Sequence, residues 1–197
     1  MNALLTRRPA TTRPALPVLG DMTLDLGRVH EACGPSRHML AMLVAGAAKG
    51  PVLWIAPGWV QGGLNTDGME ALAGPERFVF AAPQRAEDVL WCAEEALRSG
   101  AAPLVVAELP APPSLTAVRR MHLAAEAAGG QGLGLLLTPG AGGAPGIETR
   151  WHMAPAHTPR APRWILTRRR ARTAPPRAWS LEGRSGAWQL AAAADPD

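Results

Sequence analysis

At 197 residues, with 47% hydrophobic and 18% charged side chains, the chain suits one ordinary α/β or α+β domain and is too apolar to be wholly disordered. Cys33 and Cys92 are too few for a disulfide scaffold, and no apolar run approaches the roughly 18 residues of a membrane span, so a reducing cytoplasm and no membrane partner are expected. The net charge of +4 is uneven: residues 1–149 hold 11 basic and 13 acidic side chains, residues 150–197 hold 9 and 3, so any nucleic-acid or acidic partner belongs to the tail.

Residues 1–19, with Pro9, Pro14 and Pro17 and no periodicity, read as a loose, flexible leader without a signal-peptide core. Residues 28–33 alternate weakly and end at Gly34-Pro35, which suits a short strand running into a turn. Ser36 is placed to cap a helix through about Lys49, with Met39, Leu40, Leu43, Val44 and Ala47 on one face. Residues 51–56 are a continuous apolar run, the signature of a strand buried on both faces. A Gly-rich loop then leads to a short helix around residues 67–72, and residues 77–81 read as a second buried strand. The clearest helix spans residues 85–99, with Glu87 and Asp88 in its first turn and Gly100 as its stop. Residues 103–109 form a third buried strand. Ser114 caps a helix through Ala128 with Leu115, Val118, Met121 and Ala125 on one face, and residues 132–138 form a fourth strand.

This alternation predicts an α/β domain with a mainly parallel sheet flanked by helices over residues 20–138. After the Gly/Pro/Ala loop at 139–146, short strands at 149–153, 163–170, 178–181 and 188–191 predict an antiparallel hairpin extension over 149–191, with residues 192–197 as a frayed tail. There is no internal repeat.

The chain has one lysine, Lys49, preceded by Ala48 and followed by Gly50-Pro51, so it carries no G-x-x-x-x-G-K-[ST] phosphate loop. An arginine does not substitute simply, because the two cations differ in shape and hydration. His30, His38, His122, His152 and His157 show no metal spacing, and there is no C-x-x-C or H-E-x-x-H. The stretch at 183–186 falls short of a nucleophile elbow. No cofactor is expected.

The order of strand, Gly-Pro turn, helix and strand, followed by an apolar strand ending in Glu108, resembles RecA-type domains. Four stretches resemble the ImuA family, RecA-like accessory proteins of bacterial mutagenic translesion synthesis: residues 29–35 (VHEACGP), 51–54 (PVLW), 86–100 (AEDVLWCAEEALRSG) and 115–129 (LTAVRRMHLAAEAAG). The segments 149–152 and 162–164 are also similar, so the resemblance spans roughly residues 20–190. It implies a RecA-like core that acts without catalysis. The implied partners are an ImuB-like pseudo-polymerase, an error-prone replicative-type DNA polymerase and RecA. A looser kinship runs to SulA-like division inhibitors of the SOS response. The chain departs from a full phosphate-loop pattern in having Ser36-Arg37-His38 directly after Gly34-Pro35.

The candidate sites follow from this. Gly34, Pro35, Ser36, Arg37 and His38 stand at a helix N-terminus, where free N–H groups favour anions. They read either as a vestigial nucleotide site, with Arg37 for lysine, or as an ordinary turn. Glu108 matches the strand-end acid that would hold Mg²⁺ in an ATPase, or is a structural or partner-contacting acid; Glu31 is a similar case. Arg163, Arg168, Arg169, Arg170 and Arg172 form either a patch for DNA or an acidic partner, or a solvated hairpin face. Trp164, Trp179 and Trp188 fit core or edge-covering roles better than base stacking. Four functions are weighed: a non-catalytic adaptor, a degenerate P-loop ATPase of DNA repair, a DNA-binding module working through the tail, and a SulA-like division inhibitor.

Overall fold

The computed structural model describes residues 13–60, 63–159, 161–184 and 187–193. Two strands, β1 (Ala15–Leu19) and β2 (Met22–Asp25), form a hairpin that the leader assignment missed. Its signal was short: apolar Leu16, Val18, Met22 and Leu24 alternate around Gly20-Asp21, and the prolines obscured it. Leu16, Val18 and Leu19 pack against the core that holds the buried Met22 and Leu24, so residues 15–19 join the domain rather than the loose leader, of which residues 1–12 lie outside the described residues.

The remaining elements are β3 (Val29–Cys33), α1 (Arg37–Ala47), β4 (Val52–Ile55), α2 (Thr66–Glu70), a 3-10 turn (Pro75–Arg77), β5 (Phe78–Ala81), α3 (Ala86–Ser99), β6 (Leu104–Glu108), α4 (Leu115–Ala127) and β7 (Leu133–Leu137). There follow β8 (Thr149–Pro155), β9 (Arg163–Ala171), β10 (Arg177–Arg184) and β11 (Ala187–Ala192). Strands β3 to β11 form one sheet of nine in the order β11-β10-β9-β8-β3-β7-β6-β4-β5. The six from β8 to β5 are parallel, and β9, β10 and β11 extend the sheet antiparallel. The expected architecture, a mainly parallel sheet flanked by helices with a C-terminal hairpin extension, is the one the strands adopt.

Alternation within each strand divides two cores. Val52, Trp54, Leu104, Val106, Leu135, Trp151 and Met153 pack beneath α1 and the β1–β2 hairpin. Val29, Ile55, Val105, Ala107 and Leu136 pack beneath α3 and α4. Strand β3 is buried on both faces, including His30 and Glu31, so its weak alternation hid a central strand.

Three local expectations change. Ser36 occupies the N-cap position of α1 but its side chain makes no cap hydrogen bond, whereas Ser114 Oγ accepts from the Ala117 N–H at 3.2 Å as expected. Strand β5 is an edge strand: Phe78 is buried in the core, but Val79 and Phe80 are 58% and 57% exposed, so it is not buried on both faces. Leu115 lies off the buried stripe of α4, which Val118, Met121 and Ala125 do occupy.

Tryptophans tie the hairpin extension to the end of the parallel core. Trp151 of β8 and Trp179 of β10 meet with ring centroids 5.7 Å apart, and both are buried. Trp164 and Trp188, half-buried, meet edge to face at 5.6 Å. These tryptophans cover the sheet rather than present open faces to a base.

Candidate functional site

The carboxyl ends of the parallel strands carry every residue that the sequence marked for a nucleotide-like site, and loops at that end are where open α/β sheets place ligands. Strand β3 stops at Cys33, and Gly34 turns the chain with φ +91°, a conformation that glycine alone adopts without strain. A side chain has no room here: a Cβ on Gly34 would lie 2.4 Å from the Met153 carbonyl oxygen and 2.8 Å from the His152 ring. The Gly34 N–H donates to the Gly140 carbonyl (2.9 Å) and the Ser36 N–H to the Met153 carbonyl (3.0 Å). A turn of three residues is thereby clamped between the β7–β8 loop and the end of β8.

Two of the marked side chains do meet. His38 Nε2–H donates to Glu108 Oε2 at 2.9 Å, and Trp54 Nε1–H donates to Glu108 Oε1 at 2.8 Å. The His38 and Trp54 rings stack with centroids 6.3 Å apart. Burial works to raise the Glu108 pKa, but the hydrogen bond and charge of His38, the Trp54 donor and the Arg37 charge outweigh it and hold the carboxyl below its usual range. Glu108 is therefore an ionised acid with both oxygens occupied by this protein's own donors. Trp54 was read only as a core residue; its indole N–H, which needs a partner when buried, was the available clue. Arg37 donates back to the Gly34 carbonyl at 3.5 Å, and Pro35 is exposed beside it.

Glu31 proves to be the more deeply built carboxylate. It is fully buried and accepts from Thr138 Oγ1 (2.7 Å), the Gly143 N–H (2.8 Å), the Ala144 N–H (3.1 Å) and Arg150 Nε (2.5 Å). Burial works to raise its pKa, and the donors Thr138, Arg150, Ala144 and Gly143 reverse this to a net lowering. Every lone pair has a partner, so Glu31 anchors the loop from β7 to β8 rather than facing a substrate. The buried Cys33 thiol beside it is pushed up to about 11 by burial, with the Glu31 charge adding, and is not a nucleophile at neutral pH.

His30 and His122 are held neutral by geometry. Trp151 Nε1–H donates to Thr149 Oγ1 (2.9 Å), Thr149 donates to His30 Nδ1 (2.7 Å), and His30 Nε2–H donates to the Asp25 carbonyl (2.9 Å). His122 Nδ1 accepts from the Val29 N–H and its Nε2–H donates to the Gly146 carbonyl, each at 3.2 Å. Burial lowers both pKa values to about 4. A histidine depressed in the folded state contributes stability that is whole above its ordinary value of 6.5 and is lost as pH falls towards about 4. Thermal melting followed from pH 7.5 downward is expected to show stability declining from about pH 6.5, well before the carboxylates titrate. A flat profile between about pH 6.5 and 5 would contradict these neutral roles.

The tail arginines do not form one patch. Arg168 turns inward over Trp151 and Trp179 (5.7 and 5.3 Å to the ring centroids) and donates to the Pro175 carbonyl. Arg163 pairs with Glu182 at 2.5 Å. Arg169 and Arg170 are exposed on β9, while Arg172 reaches Glu148 at 3.4 Å beside α4. Among the described residues no group of three or more His, Cys, Asp or Glu is set to hold a metal ion, and no helix is long and apolar enough to cross a membrane.

No family model and no curated protein matches the chain. Among solved structures it is similar to SulA from Pseudomonas aeruginosa, with 21% identity and a TM-score of 0.45 over 57% of this chain and 98% of that one. A likeness of that size carries no functional argument.

Proposed function

We propose that this chain is a non-catalytic accessory protein of mutagenic translesion synthesis, built on a RecA-like domain. In this reading it docks an ImuB-type pseudo-polymerase and RecA, in an assembly that includes an error-prone replicative-type polymerase. The partner class comes from the four ImuA-like stretches, two of which form α3 and α4. The observation that favours docking over chemistry is the short β3–α1 turn: Gly34 to Ser36 are clamped by the Gly140 and Met153 carbonyls, too few residues to form the Gly-rich cradle of a phosphate loop. Glu108 has both oxygens engaged, one by His38 and one by Trp54, so its charge is tied to this protein's own donors.

A ligand that binds only the native state must raise apparent stability, so melting with and without ATP–Mg²⁺ is the direct test of this reading. No shift and no ATP turnover are expected, together with co-purification of an ImuB-type partner or RecA. A shift that Arg37→Ala abolishes would replace the adaptor with a degenerate ATPase. Failure to retain either partner at concentrations well above micromolar would remove the docking role, and filamentation on expression would turn the reading to a division inhibitor.

A further inference from the structure

One face of α4 from Leu115 to Glu126, with Arg28 just before β3 and Arg172 just after β9, lines a cleft of about 360 Å³ with mixed chemistry. Its floor is His122, uncharged and with both ring nitrogens satisfied. Its apolar wall is Leu115 and Leu123, 39% and 65% exposed, two of the large hydrophobic side chains that α4 leaves outside the core. Its charged wall is Arg28, Arg119 and Arg172.

These three arginines differ in how far they are committed. Arg28 is nearly buried and bridges Glu126 (2.5 Å) and Glu148 (3.5 Å), using up the two acids that border the cleft. Arg172 is 60% exposed and touches Glu148 only through Nε at 3.4 Å, which leaves the far end of its guanidinium open. Arg119 is exposed and has no ion-pair partner among the described residues, whereas its neighbour Arg120 is paired with Glu94. Arg13 adds a further cation at the rim, 3.3 Å from Glu126. Four arginines against two carboxylates leave an excess of two positive charges beside exposed leucine.

We propose that this cleft docks an acidic peptide segment of a partner protein, with carboxylates on Arg119 and Arg172 and one large apolar side chain between Leu115 and Leu123. Guanidinium groups grip carboxylates through paired N–H donors, and an apolar anchor beside them supplies area that charge alone does not. A nucleic-acid strand fits less well: no Phe, Tyr or Trp lines the cleft for a base to stack on, whereas the exposed leucines suit an apolar peptide side chain. The inference deepens the docking reading above by naming a surface and the chemistry of its partner.

The test selects displayed random dodecapeptides on the immobilised full chain, with counter-selection on the Arg119→Glu/Arg172→Glu variant. Enriched peptides are expected to carry carboxylates flanking Leu, Ile, Phe or Trp. In fluorescence polarisation they should lose about tenfold in affinity on Arg119→Glu and again on Leu123→Asp. Both positions are exposed, so melting should be unchanged and binding loss is not misfolding. Binding should also weaken with added salt. Failure to enrich, enrichment of peptides without carboxylates, or indifference to both substitutions would overturn the proposal. So would a fluorescent oligo-dT that binds and is released by Arg119→Glu, which would assign the cleft to nucleic acid. Co-purification of whole partners with the wild-type chain is scored separately, so the docking reading can survive failure of the cleft, and the reverse.

Discussion

Glu31→Ala is expected to unfold the chain at a far lower temperature than any surface change. The substitution leaves Arg150, with only 18% of its side chain exposed, without its counter-charge, and strips acceptors from Thr138, the Gly143 N–H and the Ala144 N–H. Breaking a buried pair from one side costs about 3–5 kcal/mol, and the orphaned donors belong to that loss. For a domain of this size each kcal/mol moves the midpoint by roughly 2–4 °C, so a fall on the order of 6–20 °C is expected. Removing both partners, in Glu31→Ala/Arg150→Ala, should cost less than the sum of the single changes, because no charge is then stranded. The sign with pH follows from the net lowering of the Glu31 pKa. The ionised carboxylate contributes fully above its ordinary value of 4.5 and is lost as pH falls through the lower folded value. Glu31→Gln should therefore flatten the acid end of the stability profile. A midpoint within a few degrees of wild type would show that the loop from β7 to β8 does not depend on this anchor.

Trp151→Ala should do comparable damage by a different route. Its side chain is 1% exposed, packs on Trp179 and lies beneath the Arg168 guanidinium. Truncating a buried tryptophan costs about 3–5 kcal/mol through lost burial and the cavity left behind. The change also removes the donor to Thr149, from which the chain of hydrogen bonds runs to His30 and on to Asp25. Strand β8 bonds to β3 on one side and to β9 on the other, so the damage should be felt in both the parallel core and the hairpin extension. Near-ultraviolet circular dichroism, far-ultraviolet signal and tryptophan fluorescence should lose structure at one lowered midpoint. Two separated transitions, with the parallel core melting at its wild-type temperature, would mean that the extension folds on its own.

The two variants also bear on the reading of function. Both act on β3, which leads into the Gly34 turn, and on β8, whose Met153 carbonyl clamps it. Loosening β8 should weaken the chain without creating nucleotide affinity, because Lys49 lies past the end of α1 opposite the turn and Arg37 is engaged with the Gly34 carbonyl. An ATP-dependent rise in the melting temperature of Trp151→Ala would show instead that a usable site lies behind the clamp.

Sequence by itself determined the parallel core. Continuous apolar runs at 52–55, 104–108 and 133–137, separated by amphipathic helices with legible stops, leave few arrangements other than a covered parallel sheet. It also determined the absence of a G-x-x-x-x-G-K-[ST] motif, since a local run of residues that is not in the chain cannot be restored by folding. Tertiary structure alone decided which polar residues were spent on the fold. Glu31 and Glu108 look alike as acids on or near strand ends, yet one is sealed by four donors and the other is held by a histidine and a tryptophan far away in sequence. The tail arginines read as one cluster because they are adjacent in the chain. A strand sends neighbours to opposite faces, so Arg168 turns onto tryptophan while Arg169 points away from it, and Arg172, past the end of β9, reaches a cleft shared with Arg28 and Arg119. Partners separated by tens of residues leave no local trace, because hydrogen bonds and ion pairs are set by distance in space and not along the chain.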